Sequence, residues 1–199
     1  MVASLGRAGT SGIMAVCDMT GSAERYGIVR AALTWAIQAF VAARRTDLVL
    51  VVEARSLNDC DASATLALSC LLRQHNVDRD SLIQFANYRG SPEHTAVWLS
   101  HFPNTYFEVS FSAMQFARDE QLPSLQGLQA MDRERMLLAS GGPAIYTPAE
   151  GPPAPATPAH LGILALRIAS HRGETMEFVL HYTQLNADRL YRLRLPPRM

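Results

Sequence analysis

Histidines, cysteines and glycine-rich turns are the usual raw material of a catalytic centre, and in this chain they are scattered. The six histidines, His75, His94, His101, His160, His171 and His181, form neither H-x-H nor H-E-x-x-H, so no local zinc motif is written in the chain. Cys17, Cys60 and Cys70 are an odd set without metal-ligand spacing and are expected as free thiols in a reducing compartment. Nothing near Cys60 looks like a base that would activate it, and Cys70, inside an apolar helical stretch, is expected in the core. Gly141-Gly142-Pro143 has the look of a phosphate cradle but lacks the Lys-Ser/Thr and the following helix that such a loop needs. Phe178, Tyr182 and Tyr191 fall at helical spacing and are read as packing for a terminal helix rather than as base-stacking rings.

The chain has 199 residues, 48% of them apolar and 18% charged, which excludes a disordered polar chain and allows one domain with a real core. Lys and Arg number 18, and Asp and Glu number 18. A bulk basic footprint for gripping duplex DNA is therefore absent. The apolar runs are too short to span a bilayer, and Met1 to Gly12 lacks the hydrophobic core of a signal peptide. These features lead us to expect an intracellular protein, cytoplasmic or nuclear, with no membrane partner.

Strand-like and helix-like segments alternate. Ile13–Asp18 and Leu48–Glu53 read as buried strands, the second rich in β-branched residues as a parallel strand buried on both faces should be. Between them, Tyr26 to Ala43 reads as a helix with Ile28, Ala32, Trp35 and Ala39 on its apolar face, widened by Val29, Leu33, Ala36 and Phe40. Asp61 or Ser63 can cap a helix carrying Ala64, Leu68, Leu71 and Leu72. Ser81–Asn87 is a strand, and Gly90-Ser91-Pro92 is a turn, a cap and a first-turn proline. The helix from Pro92 stops near Pro103. Thr105–Phe111 is a strand, Leu122–Met131 a helix and Arg135–Ser140 a strand.

Gly141–Pro158 holds three glycines and six prolines, and at that density it is expected to be an irregular loop within the single domain. Two helices follow, about Ala159–Ser170 and Thr175–Tyr191, separated by Gly173. The alternation predicts an α/β fold with a parallel sheet. About five strands suit an open sheet or part of a barrel, and the chain is short for an eight-stranded barrel of ~250 residues.

Several segments, in order, resemble the TatD family of metal-dependent deoxyribonucleases, which are amidohydrolase-like barrels. Gly90-Ser91-Pro92-Glu93, Phe102-Pro103-Asn104 with Phe107-Glu108-Val109-Ser110-Phe111, and Arg135 to Pro143 resemble successive family segments. So do Pro158-Ala159-His160-Leu161 and Asn186-Ala187-Asp188-Arg189-Leu190-Tyr191. Upstream, Val51-Val52-Glu53-Ala54-Arg55 sits where the family has V-I-H-S-R, and Ala15-Val16-Cys17-Asp18 where it has A-I-G-E. The resemblance implies a parallel (β/α) barrel of TatD/TIM type, incomplete or distorted because the family's first strand, with its His-x-His, has no counterpart here.

The resemblance also implies where divalent metals and their ligands would sit. Asp18 falls at the bridging Glu position and Glu53 at the first later His position. The second falls at Ala86, or at Gln84 if the register slips by two, and the Asp position is Gly141. Asp18 and Glu53 are thus the only metal candidates left, able at most to hold one Mg²⁺ or other divalent cation weakly, since that ion keeps several waters. Arg55 and His160 match the family pattern and are the candidates for a ligand or phosphate. Alternatively, Arg55 pairs with Glu53 or Asp18, and His160 caps the helix near Ala159. No catalytic residue is named.

The expected function is that of a degenerate TatD-like homologue, a pseudoenzyme serving as a binding or scaffold domain. The alternative is a divalent-metal-dependent deoxyribonuclease with a reduced site, completed by ligands from another chain. A second alternative is a small α/β binding module, supported by the strand, loop, Asp61, Ser63 and helix succession. Nucleic acid is the partner that the resemblance suggests. An open sheet edge near Ile13–Val16 or the proline-rich loop offers a surface for a second copy or another protein.

Overall fold

The computed structural model describes residues 12–18, 23–55, 62–111, 123–141, 145–146 and 154–192. They fall into two compact units, the first within Met1–Ala86 and Glu93–Thr105, the second within Asn87–Pro92 and Tyr106–Met199.

The first unit alternates strand and helix: β1 (Gly12–Asp18), α1 (Ala23–Ala43), β2 (Val49–Arg55), α2 (Ala62–Gln74), β3 (Leu82–Phe85) and α3 (Pro92–His101), of which Pro92 belongs to the second unit. Its strands are parallel and lie in chain order, β1 beside β2 and β2 beside β3. The register sets Val16 against Glu53, Asp18 against Arg55, and Val52 against Phe85.

Because alternate strand residues share a face, β2 sorts its side chains into two sets. Leu50 and Val52 are fully buried, and so are Ile37 of α1, Leu68 and Leu72 of α2 and Ile83 of β3. Trp98 of α3 packs edge-on against Phe85, ring centroids 4.9 Å apart. The Trp98 indole N–H donates to Thr105 Oγ1 at 2.8 Å, and the Thr105 hydroxyl donates to the Phe102 carbonyl at 2.8 Å. That chain satisfies every polar atom the tryptophan carries into the core.

Helix α1 corrects the expected face. Leu33, Ala36, Ile37, Ala39 and Phe40 are buried, whereas Ile28 is 68% and Trp35 43% exposed, and Ala32 is exposed too. The helix is apolar nearly all round, so its periodicity offers two candidate stripes, and contact with the sheet selects one. Cys70 is corrected as well: it is exposed on α2.

The second unit contains β4 (Thr105–Ser110, from Tyr106 onward), α4 (Pro123–Ala130), a 3₁₀ turn (Arg133–Arg135), β5 (Met136–Ala139), a second 3₁₀ turn (Pro158–His160), α5 (Leu161–Arg172) and α6 (Met176–Tyr191). Strands β4 and β5 are parallel, with Phe107 opposite Met136 and Ser110 opposite Ala139. Every residue of β4 is buried. Leu164, Ala165 and Ile168 of α5 and Val179 and Leu190 of α6 complete the core.

The connection between the two last helices follows its sequence. Gly173 takes the left-handed conformation that ends α5, and Thr175 accepts from the Phe178 N–H to begin α6. Arg172 donates through Nη1 to the carbonyls of Leu128 and Met131 at 2.6 and 2.9 Å. Glu174, with a side chain 4% exposed, receives Arg172 Nε at 3.0 Å and Arg133 Nε at 2.8 Å. The Tyr182 hydroxyl donates to its other oxygen at 3.1 Å.

The stretch Gly141–Pro158 is not wholly irregular, as its composition suggests. Ile145–Tyr146 (β6) and Ala154–Pro155 (β7) pair antiparallel, with Ile145 opposite Pro155. A two-stranded ribbon leaves one side of each strand free, so Pro155 can sit there without breaking a ladder bond.

Candidate functional site

The C-terminal ends of parallel strands are where side chains from different strands meet in folds of this class. In the first unit the register carries three of the sequence-derived positions to one face of the sheet. Val16, Glu53 and Ala86 are level: Val16 pairs with Glu53, and Ala86 follows the Val52–Phe85 pair and donates its N–H to the Val52 carbonyl at 2.7 Å. Gln84 pairs with Val51 and is thus one step deeper on the same face. Of the two candidates for the second later His position, Ala86 is the one level with Glu53. Asp18 and Arg55 pair two residues further toward the strand ends, after Cys17 and Ala54; their side chains lie outside the described residues.

Glu53 is 4% exposed, Ala86 5% and Gln84 9%. Glu53 is the one carboxylate at this level among the described residues. The methyl of Ala86 supplies no donor atom. Among the described residues, no three His, Cys, Asp or Glu side chains gather into a metal-binding group. The donor set among the described side chains therefore does not match the metal centre that the resemblance implies.

In the second unit, Gly141 occupies the implied Asp position and has φ 67°. His160 is engaged locally. Its Nδ1 accepts the Thr157 N–H at 3.0 Å, its own N–H donates to the Thr157 carbonyl, and its ring stands edge-on to Phe111 at 6.1 Å. A ring nitrogen that accepts a backbone N–H carries no proton of its own, which leaves Nε2 as the ring position that bears the N–H. This is a capping box ahead of α5, the local role weighed for His160 in the sequence.

Two polar features of β4 were not singled out in the sequence. Glu108 is 8% exposed between Phe107 and Val109 of this fully buried strand, and a carboxylate between two such residues is the signal that would have found it. Burial, and then the nearby Glu108 charge, push the Tyr191 hydroxyl up from its ordinary value. Beyond Glu108, Ser110 Oγ donates to Asn87 Oδ1 at 2.5 Å. Asn87 has φ 50°, a left-handed conformation that asparagine tolerates better than most residues.

No protein-family model matches the chain, and no curated protein matches it in sequence. Solved structures do match. A TatD homologue of Escherichia coli K12 superposes with a TM-score of 0.69 at 12% identity, over 89% of this chain and 62% of its own. An uncharacterized amidohydrolase of Saccharomyces cerevisiae gives 0.64 at 11% identity, over 86% and 60%. A TatD family hydrolase of Entamoeba histolytica gives 0.60 at 11% identity, over 87% and 59%. The chain spans about three-fifths of the length of these structures. With parallel strands alternating with helices in both units, the protein has the α/β fold of the TatD-type amidohydrolases, in barrel-like and incomplete form and at low sequence identity.

Proposed function

We propose that this TatD-like homologue is catalytically impaired and acts as a binding or scaffold domain. The observation that carries the reading is the level formed by Glu53 and Ala86. Where metal ligands are required, the chain offers one enclosed carboxylate and one methyl group. Hydrolysis of a phosphodiester by such folds needs a clamp on the attacking and leaving oxygens. Losing it removes several kcal/mol of transition-state stabilisation, which is orders of magnitude in rate. No helix among the described residues is long and apolar enough to cross a membrane, and an intracellular setting accords with the free-thiol reading of the cysteines.

The test is incubation with single-stranded and duplex DNA and Mg²⁺, Mn²⁺ or Zn²⁺. The expected result is no turnover above background. Turnover that Asp18→Ala or Glu53→Gln abolishes would establish the alternative, a metal-dependent deoxyribonuclease with a reduced site.

The binding role carries two further expectations. Arg55 in the first unit and His160 in the second are each assigned, separately, a contact with phosphate or nucleic acid, Arg55 through its bidentate fork and His160 through Nε2. Titration of oligonucleotides against wild type, Arg55→Ala and His160→Ala decides this, since unchanged affinity in both folded variants removes the assignment. Among the described residues, β1 has a strand neighbour on one side only. An unpaired edge invites association, and sedimentation tests for a dimer through it.

A further inference from the structure

Helices α1 and α2 leave a groove of about 210 Å³ between them in the first unit. Residue size explains it. The stripe of α2 that lines the groove is Ala67, Cys70, Leu71 and Gln74, at helical spacing, and Ala67 and Cys70 are too small to fill the space. Leu33 of α1 and Leu71 of α2, 3% and 7% exposed, form an apolar floor. Val29 and Ala67 are half-buried walls, while Arg30, Cys70 and Gln74 are exposed at the rim.

Charge sets the groove's preference. Arg45 is held by Asp47, and Arg133 and Arg172 by Glu174. Arg30 has no ion-pair partner among the described residues. A free guanidinium thus stands at the mouth of an apolar groove, where burying an alkyl chain is favourable and a carboxylate finds a two-pronged donor. The volume lies below the ~300–1,000 Å³ of pockets for drug-sized ligands, which limits the guest to a short chain.

We propose that this groove binds a small amphipathic anion, an aliphatic monocarboxylate of medium chain length, with its tail on Leu33 and Leu71 and its carboxylate at Arg30. The site uses none of the strand-end residues and stands whether or not the chain hydrolyses anything.

Sodium octanoate titrated against the full chain tests it, with NMR shifts of the α1 and α2 amides and the rate of Cys70 carbamidomethylation, read by peptide mass mapping, as signals. Octanoate is expected to bind in the millimolar range and to slow alkylation of Cys70. Arg30→Gln is expected to weaken octanoate about tenfold and leave neutral octanol unchanged, and Ala67→Phe to abolish both by filling the groove. The proposal is overturned if octanoate neither shifts those amides nor protects Cys70. Equal affinity for octanoate in wild type and Arg30→Gln overturns it too, and that exposed substitution decides the matter should Ala67→Phe fail to fold.

Discussion

The side-chain amide of Asn186 donates to the Met136 carbonyl at 2.9 Å, from a position in α6 that is 1% exposed. The same Nδ2 reaches the Arg133 carbonyl at 2.6 Å. One residue thereby ties the last helix to the start of β5 and to the 3₁₀ turn before it; the Arg133 carbonyl also accepts the Met136 N–H, so the asparagine fills its second lone pair. The segment Asn186 to Tyr191, which carries part of the family resemblance, owes its asparagine to this bracket. Asn186→Ala removes both side-chain hydrogen bonds and is expected to cost about 1–3 kcal/mol, read as a lower urea midpoint. Asn186→Asp, which cannot donate, should be no better.

Glu174 makes the second unit sensitive to acid. Burial opposes its charge, but hydrogen bonds from Arg133 and Arg172 outweigh that and hold its carboxyl below the ordinary 4.5. A depressed folded value means that the contribution is complete above the unfolded value and lost as pH falls through the folded one. Wild-type stability should therefore fall below pH 4.5, and Glu174→Gln should flatten that part of the profile while lowering stability at neutral pH.

At the alkaline end, burial chiefly pushes the Tyr182 hydroxyl up to about 12. The folded state favours the neutral phenol, so this contribution is present below the ordinary 10.0 and declines as pH rises toward 12. Tyr182→Phe should remove that slope, measured by denaturation across the range.

Two helical glycines should respond in opposite directions. A Cβ on Gly127 of α4 would stand 2.1 Å from the Gly90 carbonyl oxygen, a backbone atom that cannot swing aside. Gly127→Ala is expected to destabilise by about 1–3 kcal/mol. A Cβ on Gly27 of α1 meets nothing within 4 Å, so Gly27→Ala should stabilise by up to about 1 kcal/mol through helix propensity. Thermal midpoints of the two variants provide the comparison.

Thr105 is the acceptor on which buried Trp98 depends. Thr105→Val keeps the shape and strands the indole N–H, at an expected cost of about 1–3 kcal/mol, whereas Thr105→Ser keeps the oxygen and should cost less. Urea denaturation followed by tryptophan fluorescence measures both.

Much of the architecture is legible in the residues because it rests on local causes. The β-branched run at Leu48–Glu53, the proline opening the helix at Pro92 and the glycine at Gly173 each act within a few residues of themselves. The strands and helices they delimit stand within one or two residues of where the sequence puts them. The likeness to TatD proteins was legible in segments whose order matters more than their identity, as the 11–12% identities of the superposed structures show.

Burial and level are not local. The sequence of α1 supports two apolar stripes, and only contact with the sheet buries Leu33 and Ile37 while leaving Ile28 and Trp35 exposed. Cys70 sits in an apolar run yet lies at the rim of a groove because Ala67 leaves its neighbourhood unfilled. Whether Gln84 or Ala86 stands level with Glu53 depends on how β3 is aligned with β2, and a parallel register is fixed by packing between segments far apart in the chain. The sequence by itself determined the elements, their order and the residues available at their ends. Only the tertiary structure decided which of those residues share a level and how far each is enclosed, because burial belongs to a residue's neighbours in space rather than to the residue.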